Sequence, residues 1–397
     1  MRIGLATETA KWPAMWSGTV YYMTQAIERA GADLTAVLPV LPRQTRALKL
    51  TGRALSKVIG HDPHLNRTRS VAWIKAQVLR RALGRVQVDA VLAPVSAALI
   101  PYLKSDVPVI YVSDATVRTM IDYYPEFTAL RTGTRKRAIA LETLALARAD
   151  LIFFPTWWAA RSAIENYGVD PAKIVVQAFG ANISDAPGRT EALAPRRPGP
   201  LRLLFCGVEW QRKGGAQALA TLAALLAQGI AAELVILGCV PPEPIGPAAL
   251  RNAVRNIPFL DKSDPVQRAE FRRLFLDADI FLLPTRAECY GVVYCEAAAC
   301  GTPSVTTDTG GVPEVVRHGV TGLTLPLAAG GAEYAAAIRD LVQTPGRLDA
   351  MRRAARADFE ERLNWDVWAR AGMGRIAALC EPRTRTVRAP VAMPRLA

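Results

Sequence analysis

Along the first half of the chain, short β-branched and apolar runs alternate with longer stretches whose apolar positions recur at helical spacing. The runs Arg2 to Ala6, Leu34 to Leu38, Ala90 to Ala93, Val109 to Val112 and Leu151 to Phe154 predict strands. Between the first two, Gly18 to Ala30 carries Tyr22, Ile27 and Ala30 at helical spacing and stops at Gly31, as a helix closed by a glycine cap does. This alternation is that of an α/β, doubly wound parallel sheet. The pattern lapses over Asp185 to Pro200, DAPGRTEALAPRRPGP, where four prolines and two glycines break any apolar period, so the segment reads as a linker. A second alternation follows. It predicts strands at Leu201 to Cys206, Glu233 to Leu237, Ile280 to Leu283 and Ser304 to Thr306, and helices at Ala216 to Ala227, Pro265 to Leu276 and Val292 to Cys300. The expected architecture is two Rossmann-like domains, 1–184 and 201–364, facing across a cleft that suits a nucleotide ligand. A helix over 365–381 is expected to pack back toward the first domain, and an Arg- and Pro-rich stretch over 382–397 reads as a loose basic tail.

A chain of 397 residues with 51% hydrophobic residues supports two cores. It contains no uninterrupted apolar run of membrane-spanning length; the nearest candidate, Val88 to Leu103, is broken by Pro94 and Pro101. The start, MRIGLATETA, reads as a strand without the features of a secretory peptide, so a cytoplasmic location is expected. The six cysteines all lie in the C-terminal half without a C-x-x-C pair and read as reduced core thiols. With only three histidines, no metal site is expected.

Charge changes the picture more. The net charge is +14, and between Arg43 and Arg85 eleven Lys or Arg stand against a single acid, Asp62. Such a segment attracts phosphates, acidic glycans or an anionic membrane surface, which would put the protein peripherally on the inner face of the membrane; equally, it is a solvated arginine-rich face. Its near lack of aromatic residues, with Trp73 alone, argues against nucleic acid as a partner.

The densest candidate chemistry lies in PTRAECYGVVYCEAAACGTPSVTTDTGGVPEVVRHGVTG, Pro284 to Gly322. It follows the apolar strand IFLL and turns into a helix after Gly291. Free N–H groups near Tyr290, Gly291 and Val292, at the positive end of that helix, form a site for a diphosphate, and Gly291 lets the backbone come close. Glu288 precedes the helix and Glu296 lies inside it, so two carboxylates can each accept from sugar or ribose hydroxyls. An early-helix glutamate is also an ordinary partner of the helix dipole. A second block, FCGVEWQRKGG from Phe205 to Gly215, sets Arg212 and Lys213 beside a glycine-rich turn, which suits a pyrophosphate.

The spacing ECYGVVYCE resembles the E-S-F-G-x-x-x-x-E motif of the family 4 retaining glycosyltransferases with the two-domain GT-B fold, with Tyr290 in place of the usual Phe. The downstream AAACGTPSVTTDTGGVPEVVRHGVTG is similar to the same family's small-residue helix, strand, Gly-Gly loop and Gly-x-x-G turn. That resemblance implies a nucleotide-diphosphate sugar as donor substrate, with no cofactor. It implies an acceptor hydroxyl on a sugar, lipid-linked or other molecule, bound by the first domain. Lys213 and Arg212 would hold the leaving diphosphate, Glu288 the sugar and Glu296 the ribose. Leu260 and Lys262, in FLDKSD, occupy the place of the base-contacting loop. In the first domain MWSGTVYYM resembles the family's loop over the donor phosphate, with Gly18 the close-approach residue, although such a glycine also serves simply as a turn. The block IYVSDATVRTMIDYYPEF lacks the histidine found in many relatives. Asp114 either orients an acceptor there or caps the following helix. An epimerase or a phosphorylase on the same fold, or a polyanion-binding protein with a secondary sugar site, are the competing readings.

Overall fold

A computed structural model describes residues 1–7, 12–37 and 68–381. Two six-stranded parallel sheets organise the chain. The first holds β1 (Arg2–Ala6), β2 (Asp33–Val37), β3 (Ala90–Pro94), β4 (Val109–Val112), β5 (Leu151–Phe154) and β6 (Ile174–Val176), in the order β2-β1-β3-β4-β5-β6. The second holds β7 (Leu201–Cys206), β8 (Ala232–Leu237), β9 (Val254–Ile257), β10 (Ile280–Leu283), β11 (Ser304–Thr307) and β12 (Gly322–Leu325), in the order β12-β11-β10-β7-β8-β9. All pairings are parallel, so helices must cover both faces, and central strands such as β10 are apolar and buried throughout. In the second sheet the strand order reverses between β7 and β10. The two chains leaving the carboxyl ends of those strands diverge and open a crevice, the place where α/β sheets hold ligands.

Three strands escape the sequence pattern: β6, β9 and β12. Each has four residues or fewer and lies at a sheet edge, where one flank needs no partner strand and a continuous apolar run is not required; β9 leaves Arg255 and Asn256 exposed. The linker contains a helical turn, Arg189–Ala192, pinned by Arg352, whose Nη2 donates to the carbonyls of Ala192 at 3.3 Å and Ala194 at 2.9 Å. Residues 38–67, which include Arg43 to Arg67 of the basic segment, and the tail 382–397 lie outside the described residues. The described part of the basic segment forms the helix Arg69–Leu83, capped by Thr68, with Trp73 exposed.

The chain passes between the sheets twice, and the two passages touch. Ala181 N–H donates to Leu363 O at 3.0 Å, and a Cβ on Gly180 would lie 2.1 Å from Trp365 N, so only glycine fits. After the return, helix Trp365–Cys380 packs on the first sheet: the Trp368 and Phe153 rings are 5.1 Å apart, and Gln177 Nε2 donates to Trp368 O at 2.9 Å. Because the clash at Gly180 is with backbone, Gly180→Ala should cost about 3 kcal/mol by forcing the crossings apart. Chemical denaturation of the variant measures this, and an unchanged midpoint would contradict the tight crossing.

Candidate functional site

The turn after β7 is built by glycines. Gly207 leaves room for the Lys213 stem, since a Cβ there would lie 2.8 Å from Lys213 Cγ. Gly214, at φ +75°, lets the turn press against Pro284 O, where a Cβ would come within 1.9 Å. The short helix Trp210–Lys213 thereby delivers two cations to the loop after β10. Lys213 Nζ bonds Glu288 Oε2, and Arg212 Nη1 lies 3.5 Å from the same oxygen and 3.0 Å from Ala287 O. Arg212 is itself fixed: Glu209 accepts from Nε at 2.7 Å and Nη2 at 2.8 Å, and the guanidinium lies 5.0 Å above the Tyr124 ring. Lys213 and Glu288 are 9% and 8% exposed, buried enough that each depends on the other for compensation.

Glu288 is followed by Gly291 at φ +82°, where a Cβ would strike the Tyr294 ring at 2.4 Å. Helix Val292–Ala299 starts there with no side-chain cap, which leaves its first N–H groups to a ligand or water. Tyr290 turns the other way. Its ring is buried, and its hydroxyl donates to Phe179 O at 2.7 Å, so only its backbone faces the helix start. Four residues beyond Val292, Glu296 is buried and paired with Lys262 at 2.7 Å; the same ammonium donates to Asn182 O at 3.2 Å. Burial pushes the Glu296 carboxyl up against the opposing pull of Lys262. Lys262 and Glu296 therefore form a second pair, while Leu260 is partly buried against the core.

From the first domain, the loop after β1 runs left-handed through Trp16 and Ser17, both at φ +55°, to Gly18 at φ +83°. Gly18 is demanded by that backbone rather than by crowding, its nearest neighbour being the Tyr22 ring at 3.5 Å. The turn aims Trp16 Nε1 at Asp114 Oδ2, 3.2 Å away. Asp114 does not cap the following helix: the Thr116 side chain does, accepting from Thr119 N. Burial pushes the Asp114 carboxyl up to about 6, Trp16 pulls against this, and the charge of Glu288 pushes it further. The charge of Glu288 thus reaches Asp114 across the cleft.

Sequence reading missed the residues that join the domains. Glu288 N–H donates to Tyr123 OH at 2.9 Å and Cys289 N–H to Tyr124 OH at 3.2 Å. Glu314 accepts from Trp157 N–H at 2.8 Å and Trp158 N–H at 2.9 Å, capping a first-domain helix from the second domain. Two adjacent tyrosines after a short apolar strand carry no local sign of a partner 165 residues away. Among the described residues no three His, Cys, Asp or Glu side chains group as metal ligands, and no helix is long and apolar enough to cross a membrane. An open cavity of about 1240 Å³, lined by Asp89, Asp106, Asp150 and Lys173, lies at the amino ends of the first sheet's strands, the wrong end for an α/β ligand site.

Two family models match, one on each half: glycosyltransferase family 4 over residues 18–184 and glycosyl transferases group 1 over residues 200–344. The chain belongs to the family 4 glycosyltransferases. It is 32% identical over 210 residues to a D-inositol 3-phosphate glycosyltransferase of Pseudarthrobacter chlorophenolicus, covering 49% of this chain and 48% of that one. The chain spans about half the length of the curated relatives it matches. Sucrose-phosphate synthase from Thermosynechococcus elongatus superposes with a TM-score of 0.66 at 19% identity, covering 95% and 98% of the two chains. Anabaena HepE in complex with UDP and glucose superposes at 0.63 and 15% identity, covering 95% and 99%. The two facing parallel sheets are the GT-B fold of this family.

The raised Asp114 carboxyl makes a prediction for this family 4 chain. A group whose folded value, about 6, exceeds its ordinary 3.8 contributes stability that is full below the lower value and is lost as pH rises through the upper one. Asp114→Asn keeps an acceptor for Trp16 and removes this loss. The variant should exceed the wild type by up to about 3 kcal/mol at pH 8, with the gap narrowing toward pH 5 in urea titrations. A gap that does not change with pH would refute it.

Proposed function

We propose that the protein transfers a hexose-type sugar from a nucleotide-diphosphate donor to an acceptor hydroxyl with retention at the anomeric carbon, in the synthesis of a glycan, glycolipid or other glycoconjugate. The observation that carries this is the Lys213, Arg212 and Glu288 cluster at the crossover of the second sheet, faced by Asp114 from the first domain. Lys213 and Arg212 are paired with Glu288. A diphosphate arriving at the start of helix Val292–Ala299 offers them a better-matched anion and releases the Glu288 carboxylate to accept from sugar hydroxyls. Glu296, held by Lys262, is positioned for the ribose, with the backbone around Leu260 beside the base. Gly18 and its left-handed loop face the phosphates. The complex of HepE with UDP and glucose supports the donor class.

In this reading the acceptor oxygen attacks C1 on the face that the phosphate leaves. The C1–O bond to the diphosphate breaks, and the acceptor proton passes to a departing phosphate oxygen. Lys213, Arg212 and the helix N–H groups supply positive charge to the leaving group without need of a metal ion, and Asp114 orients the acceptor hydroxyl. No carboxylate nucleophile is required, unlike in a retaining glycoside hydrolase.

The test is a thermal-unfolding screen with UDP, GDP, ADP and their glucose or mannose conjugates, since a ligand at 100 times its Kd adds about 2.7 kcal/mol. Product analysis follows with acceptors that include D-inositol 3-phosphate, the acceptor in the relative's name. Lys213→Ala and Glu288→Ala should each lower transfer per folded molecule at least ~100-fold, and each should also lose stability because its buried partner is left uncompensated. Absence of any nucleotide shift, or near-normal turnover in either variant, would overturn the reading.

A further inference from the structure

The loop that carries Glu288 is held at both ends by different domains. Its side chain is fixed by Lys213 and Arg212 of the second domain. Its main chain is shared: the Glu288 carbonyl accepts the Gly311 N–H of the second domain at 3.3 Å, while the Glu288 and Cys289 N–H groups end on the first. Tyr123 OH accepts the Glu288 N–H at 2.9 Å and stands 2.9 Å from Thr309 Oγ1 and 3.3 Å from Glu288 O; Tyr124 OH accepts the Cys289 N–H at 3.2 Å. These are two successive main-chain N–H groups, both ending on first-domain hydroxyls. The Tyr124 ring also lies under the Arg212 guanidinium.

A second, independent feature serves the same contact. After β11 the chain reads Thr309-Gly310-Gly311. A Cβ on Gly310 would sit 2.1 Å from Glu288 O and 2.4 Å from Tyr123 OH, and a Cβ on Gly311 would sit 2.2 Å from Cys289 O. The glycine pair clears the space into which the tyrosine hydroxyl enters, and Thr309 supplies a hydroxyl beside it.

We infer that Tyr123 and Tyr124 are positioning residues for sugar transfer: their hydroxyls set the main chain of the Glu288 loop, so the carboxylate adopts its working geometry only when the first domain is seated. This deepens the glycosyltransferase reading and rests on it. Neither tyrosine touches the diphosphate in this scheme, so the two hydroxyls should matter to turnover and not to nucleotide binding.

The experiment compares Tyr123→Phe, Tyr124→Phe, Thr309→Val and Tyr123→Phe/Thr309→Val with the wild type. The readouts are Kd for UDP by calorimetry and kcat and KM for UDP release from UDP-glucose with water as acceptor; GDP and GDP-mannose replace them if the nucleotide screen selects guanine. The expected result is a kcat lowered 10- to 100-fold in Tyr123→Phe, with KM and the nucleotide Kd within about threefold of wild type. In the double variant the loss in kcat should be smaller than the product of the two single losses, because both changes remove one shared contact. Unchanged kcat in folded Tyr123→Phe and Thr309→Val overturns the inference, as does a loss that appears in Kd alone. If Tyr123→Phe fails to fold, Thr309→Val and Tyr124→Phe decide by the same criteria. Failure of the wild type to bind any nucleoside diphosphate would instead sink the glycosyltransferase reading, so the two failures are told apart.

Discussion

A carboxylate taken out of water must be met by charge and hydrogen bonds, or the fold does not keep it. Glu288 is met by Lys213 and Arg212, and much else follows from that need. The cations reach it only because Gly207 and Gly214 allow the turn after β7 to close onto Pro284, and Arg212 holds its angle only because Glu209 grips it from the other side. The crossover of strand order between β7 and β10 brings those two turns together. The pair therefore depends on local glycine geometry and on global topology at once.

The same logic runs between the domains. The main-chain N–H groups of Glu288 and Cys289 end on first-domain tyrosines, and two N–H groups at the start of the first-domain helix Trp157–Tyr167 end on Glu314 of the second. Each domain thus completes the hydrogen bonding of a loop or helix end in the other. An interface built from polar end groups is one that water can replace, whereas a dry apolar seam is not. The paired crossings at Gly180 and Trp365, by contrast, are packed so closely that a Cβ on Gly180 would lie 2.1 Å from Trp365 N.

Much of this was legible in the sequence, for reasons that can be located. Central strands such as β5 and β10 must be apolar on both faces, so LIFF and IFLL stand out, whereas edge strands such as VRNI at β9 do not. Glu288, Lys213 and the Gly291 turn stand out because a glycine turn before a helix has a local pattern, but the sequence reading places Lys213 on a diphosphate and Glu288 on a sugar; their bond to each other appears only once both turns are placed on one sheet. What was illegible is long-range. Nothing near Lys262 announces that its ammonium reaches Glu296, and nothing in IDYYPEF announces a bond to Glu288 N–H. Tyr290 is instructive in the opposite sense: it sits in the motif beside the candidate ligand, yet its ring faces Phe179 in the interdomain core, because the left-handed Gly291 reverses the chain there.

The return of the chain at Leu363 to Trp365 has a consequence for biosynthesis. Helix Trp365–Cys380 covers the first sheet, with Trp368 against Phe153 and Ile376 buried in the same core. The first domain therefore precedes the second along the chain and is completed after it. While residues 201–364 are being made, the first sheet lacks the cover that helix Trp365–Cys380 provides. On the ribosome the second domain, which is contiguous in sequence, can close ahead of the first, reversing the usual N-terminal-first order of domain folding.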